Sequence, residues 1–267
     1  MKTQYLKIND TISLAHYDEY LDDSRIGVVL IHGLAEHKGR YSDFIKQLLI
    51  QGISVFAIDL RGHGESTGKR GDVKNFNDYV GDLHLFICNI KLNYPQLKLT
   101  IFGHSLGGLL ACVYSSLYDT VDLLILSSPL VEAPKRTKAL RLIPYKMLGF
   151  IKLKKRHSES REMLAYSMND PLTCRYFTLR LLGVIFDQGI SSFKDNIERI
   201  KLPMLVIGGE DDNLINSGHF SYIFNQYVGP DITIEIFKNA KHRLVQNNRK
   251  DDIIEYIIKW LDKHSHE

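Results

Sequence analysis

The chain has 267 residues, 44% of them hydrophobic and 24% charged, with a formal net charge of +3. That length suits one large α/β domain, or one domain carrying an insertion, and the composition is ordinary for a soluble globular enzyme. The longest apolar stretches are strand-sized, which excludes a membrane-spanning helix.

The first residues, Met1 to Lys7, lack the apolar core of a signal peptide, so a cytoplasmic location is expected. Tyr5 to Tyr20, with Asn9-Asp10 between two alternating runs, predicts an antiparallel hairpin on a sheet edge. Ile26 to Ile31 is an apolar, β-branched run ending at His32-Gly33. Ile53 to Ile58 is another, followed by Asp59 and the glycine-rich Arg61-Gly62-His63-Gly64-Glu65-Ser66. Asn77 or Asp78 is placed to cap a helix through Tyr79, Leu83, Phe86, Ile87 and Ile90.

Leu97 to Phe102 predicts a strand that runs into Gly103-His104-Ser105-Leu106-Gly107, and Leu106 to Tyr118 predicts a helix. A serine between two glycines on a strand-to-helix turn stands exposed in a strained conformation, because residues without Cβ leave room for the turn. Further strands are expected at Val121–Leu126, Pro203–Gly208 and Ile232–Phe237, and an amphipathic helix from Asp251 to Leu261 closes the pattern. Near-continuous apolar strands alternating with helices mean a mostly parallel sheet covered on both faces.

One stretch breaks the alternation. From Leu130 to about Arg199 there are helical patterns and breakers (Pro134, Pro144, Gly149, Pro171) but no convincing strand. The expected organisation is a core of residues 1–129 and 200–267 with an inserted helical lid at 130–199, over the carboxyl ends of the strands. Between Lys135 and Arg161 ten basic residues face one acidic residue, Glu159; this segment is +9 and the rest of the chain −6. Its apolar residues, among them Leu140, Tyr145, Phe150 and Ile151, alternate with lysines and arginines. Such a segment suits either a lid with an apolar underside or contact with an anionic membrane. It has few of the aromatics that a base-stacking platform needs, so no nucleic acid is expected.

The chemistry needs a base and an orienting acid after the serine. Glu210-Asp211-Asp212 follows the strand at 203–208, and His242 follows the strand ending at Phe237. Ser105 is then the nucleophile, His242 the base and later the acid, and Asp212 the orienting carboxylate, with Asp211 and Glu210 as alternatives. The backbone N–H groups of Leu106 and of Leu34, after His32-Gly33, would form the oxyanion hole. His32 is expected to fix its loop, His264 and His266 to lie in a frayed tail, and His16, His84 and His219 to stand apart from the serine. Cys88, Cys112 and Cys174 form no CxxC pair, so neither structural disulfides nor a zinc cluster are expected.

His32-Gly33-Leu34-Ala35-Glu36-His37-Lys38-Gly39-Arg40-Tyr41 resembles the H-G-x-x-E-H-x-x-R-Y signature of the monoacylglycerol lipase and lysophospholipase branch of the α/β-hydrolases. Asp59 to Ser66 is similar to that superfamily's D-x-x-G-x-G-x-S loop, and Gly103 to Gly108 to its G-H-S-x-G-G elbow. Gly209 to Leu214 matches its G-x-x-D-x-L acid loop, which selects Asp212, and Lys241-His242 matches its histidine loop. The resemblance covers about residues 25 to 128 and 200 to 262. It implies an α/β-hydrolase fold and hydrolysis of monoacylglycerols, lysophospholipids or related esters through an acyl-enzyme, with no metal or organic cofactor. Rival expectations are a small ester, thioester or peptide amide as substrate, or a ligand-binding protein that no longer turns over.

Overall fold

In the computed structural model, residues 1–133, 152–154 and 169–265 are described. Eight strands form one sheet: β1 (Gln4–Lys7), β2 (Ser13–Glu19), β3 (Ile26–Ile31), β4 (Ser54–Ile58), β5 (Lys98–His104), β6 (Leu123–Ser127), and two later strands. The later pair are Met204–Gly209 and Ile232–Phe237; they become β9 and β10 once the two short strands β7 (Lys152–Lys154) and β8 (Tyr176–Thr178) are counted. The order across the sheet is β1-β2-β4-β3-β5-β6-β9-β10. Only the β1/β2 and β2/β4 pairings are antiparallel, so the expected hairpin sits at one edge of an otherwise parallel sheet.

The strand pattern explains the layers. Along β3, Val29 and Ile31 face one apolar cluster while Ile26, Val28 and Leu30 face the other. The first cluster is closed by α2 (Phe76–Asn93) and α3 (Leu106–Ser115). The second is closed by α1 (Ser42–Ile50) and the C-terminal α7 (Lys250–Ser265). A run of β-branched and aliphatic residues can only be buried on both sides, and that forces helices onto both faces.

Three local expectations change. The cap of α2 is Asn75, whose N–H donates to Asp78 Oδ2 at 3.3 Å, rather than Asn77 or Asp78 itself. Asp78 thus serves as the third residue of a capping box. The stretch from 130 to 199 does contain strands: β7 pairs antiparallel with β8 over three residues each. Strands that short carry too few alternations to register in a sequence pattern. His264 is no frayed-tail residue; it is buried, its Nδ1–H bonds Trp260 O at 2.8 Å and its Nε2 lies 2.9 Å from Asp231 Oδ2.

Of the stretch read as a lid, residues 134–151 and 155–168 lie outside the described residues, and with them most of the basic cluster. Its end, residues 169–199, is described and includes α4 (Leu179–Gly183), a wide helical turn Val184–Gly189 and α5 (Ile190–Asn196). Leu181, Ile185, Ile190 and Phe193 share the apolar cluster of α2 and α3. Gly189 is why they come so close, since a Cβ there would stand 2.6 Å from the Phe76 ring. Between β9 and β10 the short helix α6 (Phe220–Ile223) covers the same side.

Candidate active site

Ser105 lies between β5 and α3 with φ 53° and ψ −111°, a conformation costing a non-glycine residue about 1–3 kcal/mol. The turn is possible because Gly103 and Gly107 lack Cβ atoms. A Cβ on Gly103 would meet Gly107 O at 2.4 Å, and one on Gly107 would meet Ile31 O at 2.3 Å. Hydrogen bonds then fix it: Ser105 N–H donates to Ser127 O at 2.9 Å, and Ser105 O accepts from Leu130 N–H at 3.0 Å. The hydroxyl is thereby held at the carboxyl ends of the strands, where open α/β sheets bind ligands.

Asp212 follows β9 in a turn that its own side chain organises. Its Oδ1 accepts from the N–H groups of Leu214 at 2.8 Å and Ile215 at 2.9 Å. Its Oδ2 lies 2.7 Å from Nδ1 of His242, and the carboxylate is fully shielded from solvent. Burial alone would raise this carboxyl; the hydrogen bond and charge of His242, with the two backbone donors, outweigh it and hold it below the usual carboxylate range. An ionised carboxylate only accepts, so the imidazole carries its proton on Nδ1 and leaves Nε2 as the basic nitrogen. Asp211 and Glu210 are exposed and meet other groups: Asp211 N–H bonds Ala240 O at 2.9 Å, and Glu210 accepts from Asn239 N–H at 3.4 Å.

The His242 ring packs against that of His104, the residue before Ser105, with centroids 4.8 Å apart. His104 donates Nδ1–H to Ser127 O at 3.0 Å, and burial pushes its pKa down to about 3. It is neutral at physiological pH.

The two N–H groups expected as oxyanion donors, those of Leu106 and Leu34, lie on two loops. Leu106 begins α3, so its N–H has no intrahelical acceptor and points from a helix N-terminus. Gly33, just before Leu34, is packed against the serine; a Cβ added to it would lie 3.3 Å from Ser105 Cβ. His32 is buried, accepts from Leu60 N–H at 3.0 Å through Nε2 and donates from Nδ1 to Gly33 O at 2.8 Å. Both ring nitrogens are spent on backbone, as a loop-fixing residue requires.

Sequence reasoning passed over the groups that hold this loop. Glu36, His37 and Lys38 are consecutive and buried, and each is bound elsewhere. Glu36 Oε1 accepts from Arg243 Nε at 2.5 Å, His37 Nε2 lies 2.6 Å from Asp170 Oδ2, and Lys38 Nζ donates to Asp59 at 2.9 Å and Glu65 at 2.6 Å. Charged side chains this buried survive only when paired. The signal was within the quoted motif, but their partners lie 21 to 207 residues along the chain.

A mostly parallel sheet with a strained serine at its centre, an acid after the fifth parallel strand, β9, and a histidine after the last, β10, defines the α/β-hydrolase class. The family described as serine aminopeptidase, S33, matches residues 22–249, and the chain belongs to it. It is 29% identical to the monoglyceride lipase of Rattus norvegicus over 228 residues, 81% of this chain and 75% of that protein. It is 25% identical to the monoacylglycerol lipase of Mycolicibacterium smegmatis over 260 residues, 93% of this chain and 92% of that one. The crystal structure of Paleococcus ferrophilus monoacylglycerol lipase superposes with a TM-score of 0.82 at 27% identity, covering 99% of this chain and 100% of that one. The chain is thus a hydrolase of the monoacylglycerol-lipase-like branch.

Proposed function

We propose that this hydrolase cleaves carboxylic esters of single-chain acyl lipids, a monoacylglycerol or a lysophospholipid, with Ser105 as nucleophile. The observation that carries the reading is the bond of buried Asp212 to His242 Nδ1 beside the strained Ser105 turn. In the first half-reaction Nε2 of His242 takes the serine proton as Oγ attacks the ester carbonyl. The oxyanion is met by the N–H groups of Leu34 and Leu106, and the leaving alcohol departs with the proton from His242. In the second, His242 deprotonates water, which attacks the acyl-enzyme; fatty acid leaves and Ser105 recovers its proton. The lipid class is supported by the names of the rat and mycobacterial relatives.

The measurement is fatty-acid release from monoacylglycerols and lysophospholipids of graded chain length, with p-nitrophenyl esters and aminoacyl amides alongside. Long-chain turnover that disappears in Ser105→Ala, together with loss of fluorophosphonate labelling, supports the reading. Hydrolysis of aminoacyl amides in preference to every ester would favour the peptidase that the family's description names.

The basic and apolar residues from Lys135 to Arg161 support a second element, docking on an anionic membrane from the cytoplasmic side. No helix among the described residues is long and apolar enough to cross a membrane, so any such contact is peripheral for them. Co-sedimentation with anionic but not neutral liposomes is the expected result; equal binding to both would remove the idea.

A further inference from the structure

Arg243 stands beside His242 in the loop after β10, and its Nε donates to Glu36 Oε1 at 2.5 Å. Both side chains are withdrawn from solvent, with 11% and 3% of their surface exposed. The other oxygen of Glu36 accepts from Gly33 N–H at 3.3 Å and from the Tyr41 hydroxyl at 2.8 Å. Gly33 is the residue packed against Ser105, and the next N–H is that of Leu34. Between them and Glu36 sits Ala35 at φ 64°, a left-handed conformation that a side-chain-bearing residue keeps only where its surroundings over-determine it. One carboxylate therefore reaches both the loop that carries the base and the loop that carries an oxyanion donor.

Resting on the proposed ester hydrolysis, we infer that Arg243 and Glu36 are a positioning pair that sets His242 and the Leu34 N–H at a fixed separation across Ser105. Neither side chain is assigned contact with the reacting atoms; each acts through the backbone of its own loop. The guanidinium suits the task because its planar, permanently charged fork holds a carboxylate in one orientation. Loops left to find their own separation would keep substrate binding and lose the alignment that the transition state needs, and displacements near 1 Å are enough to slow such reactions.

The test uses the full chain and five variants: Arg243→Met, Arg243→Lys, Glu36→Gln, the Glu36→Gln/Arg243→Met double and Ser105→Ala. Each is checked for a cooperative thermal transition above the assay temperature, then assayed for kcat and KM on the best monoacyl ester. Arg243→Met is expected to lower kcat by roughly 10- to 100-fold with KM moving less than about twofold. Arg243→Lys should regain part of the loss, and the double variant should be no slower than the worse single one, as for groups acting as a unit. A kcat for Arg243→Met within about twofold of the parent, a loss carried by KM, or losses that multiply in the double variant would overturn the inference. If Arg243→Met does not fold, the isosteric Glu36→Gln carries the same comparison. A Ser105→Ala variant that still turns over would bring down the proposed function and this inference with it. An inactive Ser105→Ala beside a normal Arg243→Met would remove the inference alone.

Discussion

His37 Nε2 lies 2.6 Å from Asp170 Oδ2, and so joins the loop after β3 to the described stretch that begins at residue 169. Only 6% and 10% of the two side chains are exposed. Around them the chain is drawn together further: Thr173 Oγ1 donates to Asp170 at 2.8 Å, Arg40 donates to Thr173 at 3.3 Å, and Cys174 N–H bonds Ala35 O at 3.2 Å. The loop after β3 is therefore pinned by residues 170–174 as well as by the sheet.

Asp170→Ala removes one side of this buried pair and should cost roughly 3 kcal/mol, because the remaining polar groups lose their partner without regaining water. Burial by itself raises the Asp170 carboxyl, but hydrogen bonds from His37 and Thr173, the His37 charge and the Leu172 N–H outweigh it and hold it below its ordinary value. A depressed carboxyl stabilises the fold above its unfolded pKa, and that contribution drains away as pH falls through the folded value. Melting temperatures of the parent and of Asp170→Asn should accordingly differ at neutral pH and converge in acid below the ordinary carboxylate range. Curves that stay parallel down to that range would show that the pair contributes no linked stability.

Asp212→Asn keeps the shape of the carboxylate and reverses its bonding preference, so the imidazole is no longer held with its proton on Nδ1. The expected loss in kcat is on the order of 10³- to 10⁴-fold at neutral pH, with substrate binding little changed. Steady-state kinetics on a short ester decide it; a loss under about tenfold would mean that the acid lies elsewhere.

Gly107→Ala should fail at folding rather than at chemistry. The new Cβ would stand 2.3 Å from Ile31 O and 2.8 Å from His32 O, both main-chain atoms that no rotamer change can move aside. Overpacking of this kind costs about 1–3 kcal/mol or more. Soluble yield and thermal unfolding are the readouts, and a variant that melts with the parent would contradict the close approach of α3 to β3.

His264→Ala tests an anchor remote from the site. The ring stacks on Trp260 with centroids 4.2 Å apart and ties α7 to Asp231, just before β10. Leaving those groups unpaired should cost about 1–3 kcal/mol while the kcat of the folded enzyme is unchanged. An activity loss larger than the stability loss would place α7 in the mechanism.

How much of this was readable in one dimension depends on the range of the forces involved. The strands from Ile26 to Phe237 were legible because burial on both faces demands an unbroken apolar run, and that demand is local. The serine turn was legible because only glycine tolerates such packing, as the contacts at Gly103 and Gly107 illustrate. The Asn75 cap and the three-residue strands β7 and β8 escaped because each rests on one or two residues, too few for a period.

By itself, the sequence determined the parallel layered core and the chain order Ser105, Asp212, His242, since these follow from periodicity and turn chemistry within short windows. Periodicity left three adjacent carboxylates open and the resemblance selected Asp212; the contact itself exists only in three dimensions, where Asp212 turns inward to His242 and Asp211 and Glu210 face solvent. The same holds for Glu36 with Arg243 and His37 with Asp170, pairs 207 and 133 residues apart. Burying a charge is costly unless an opposite charge arrives with it, and no local pattern specifies from how far along the chain that partner will come.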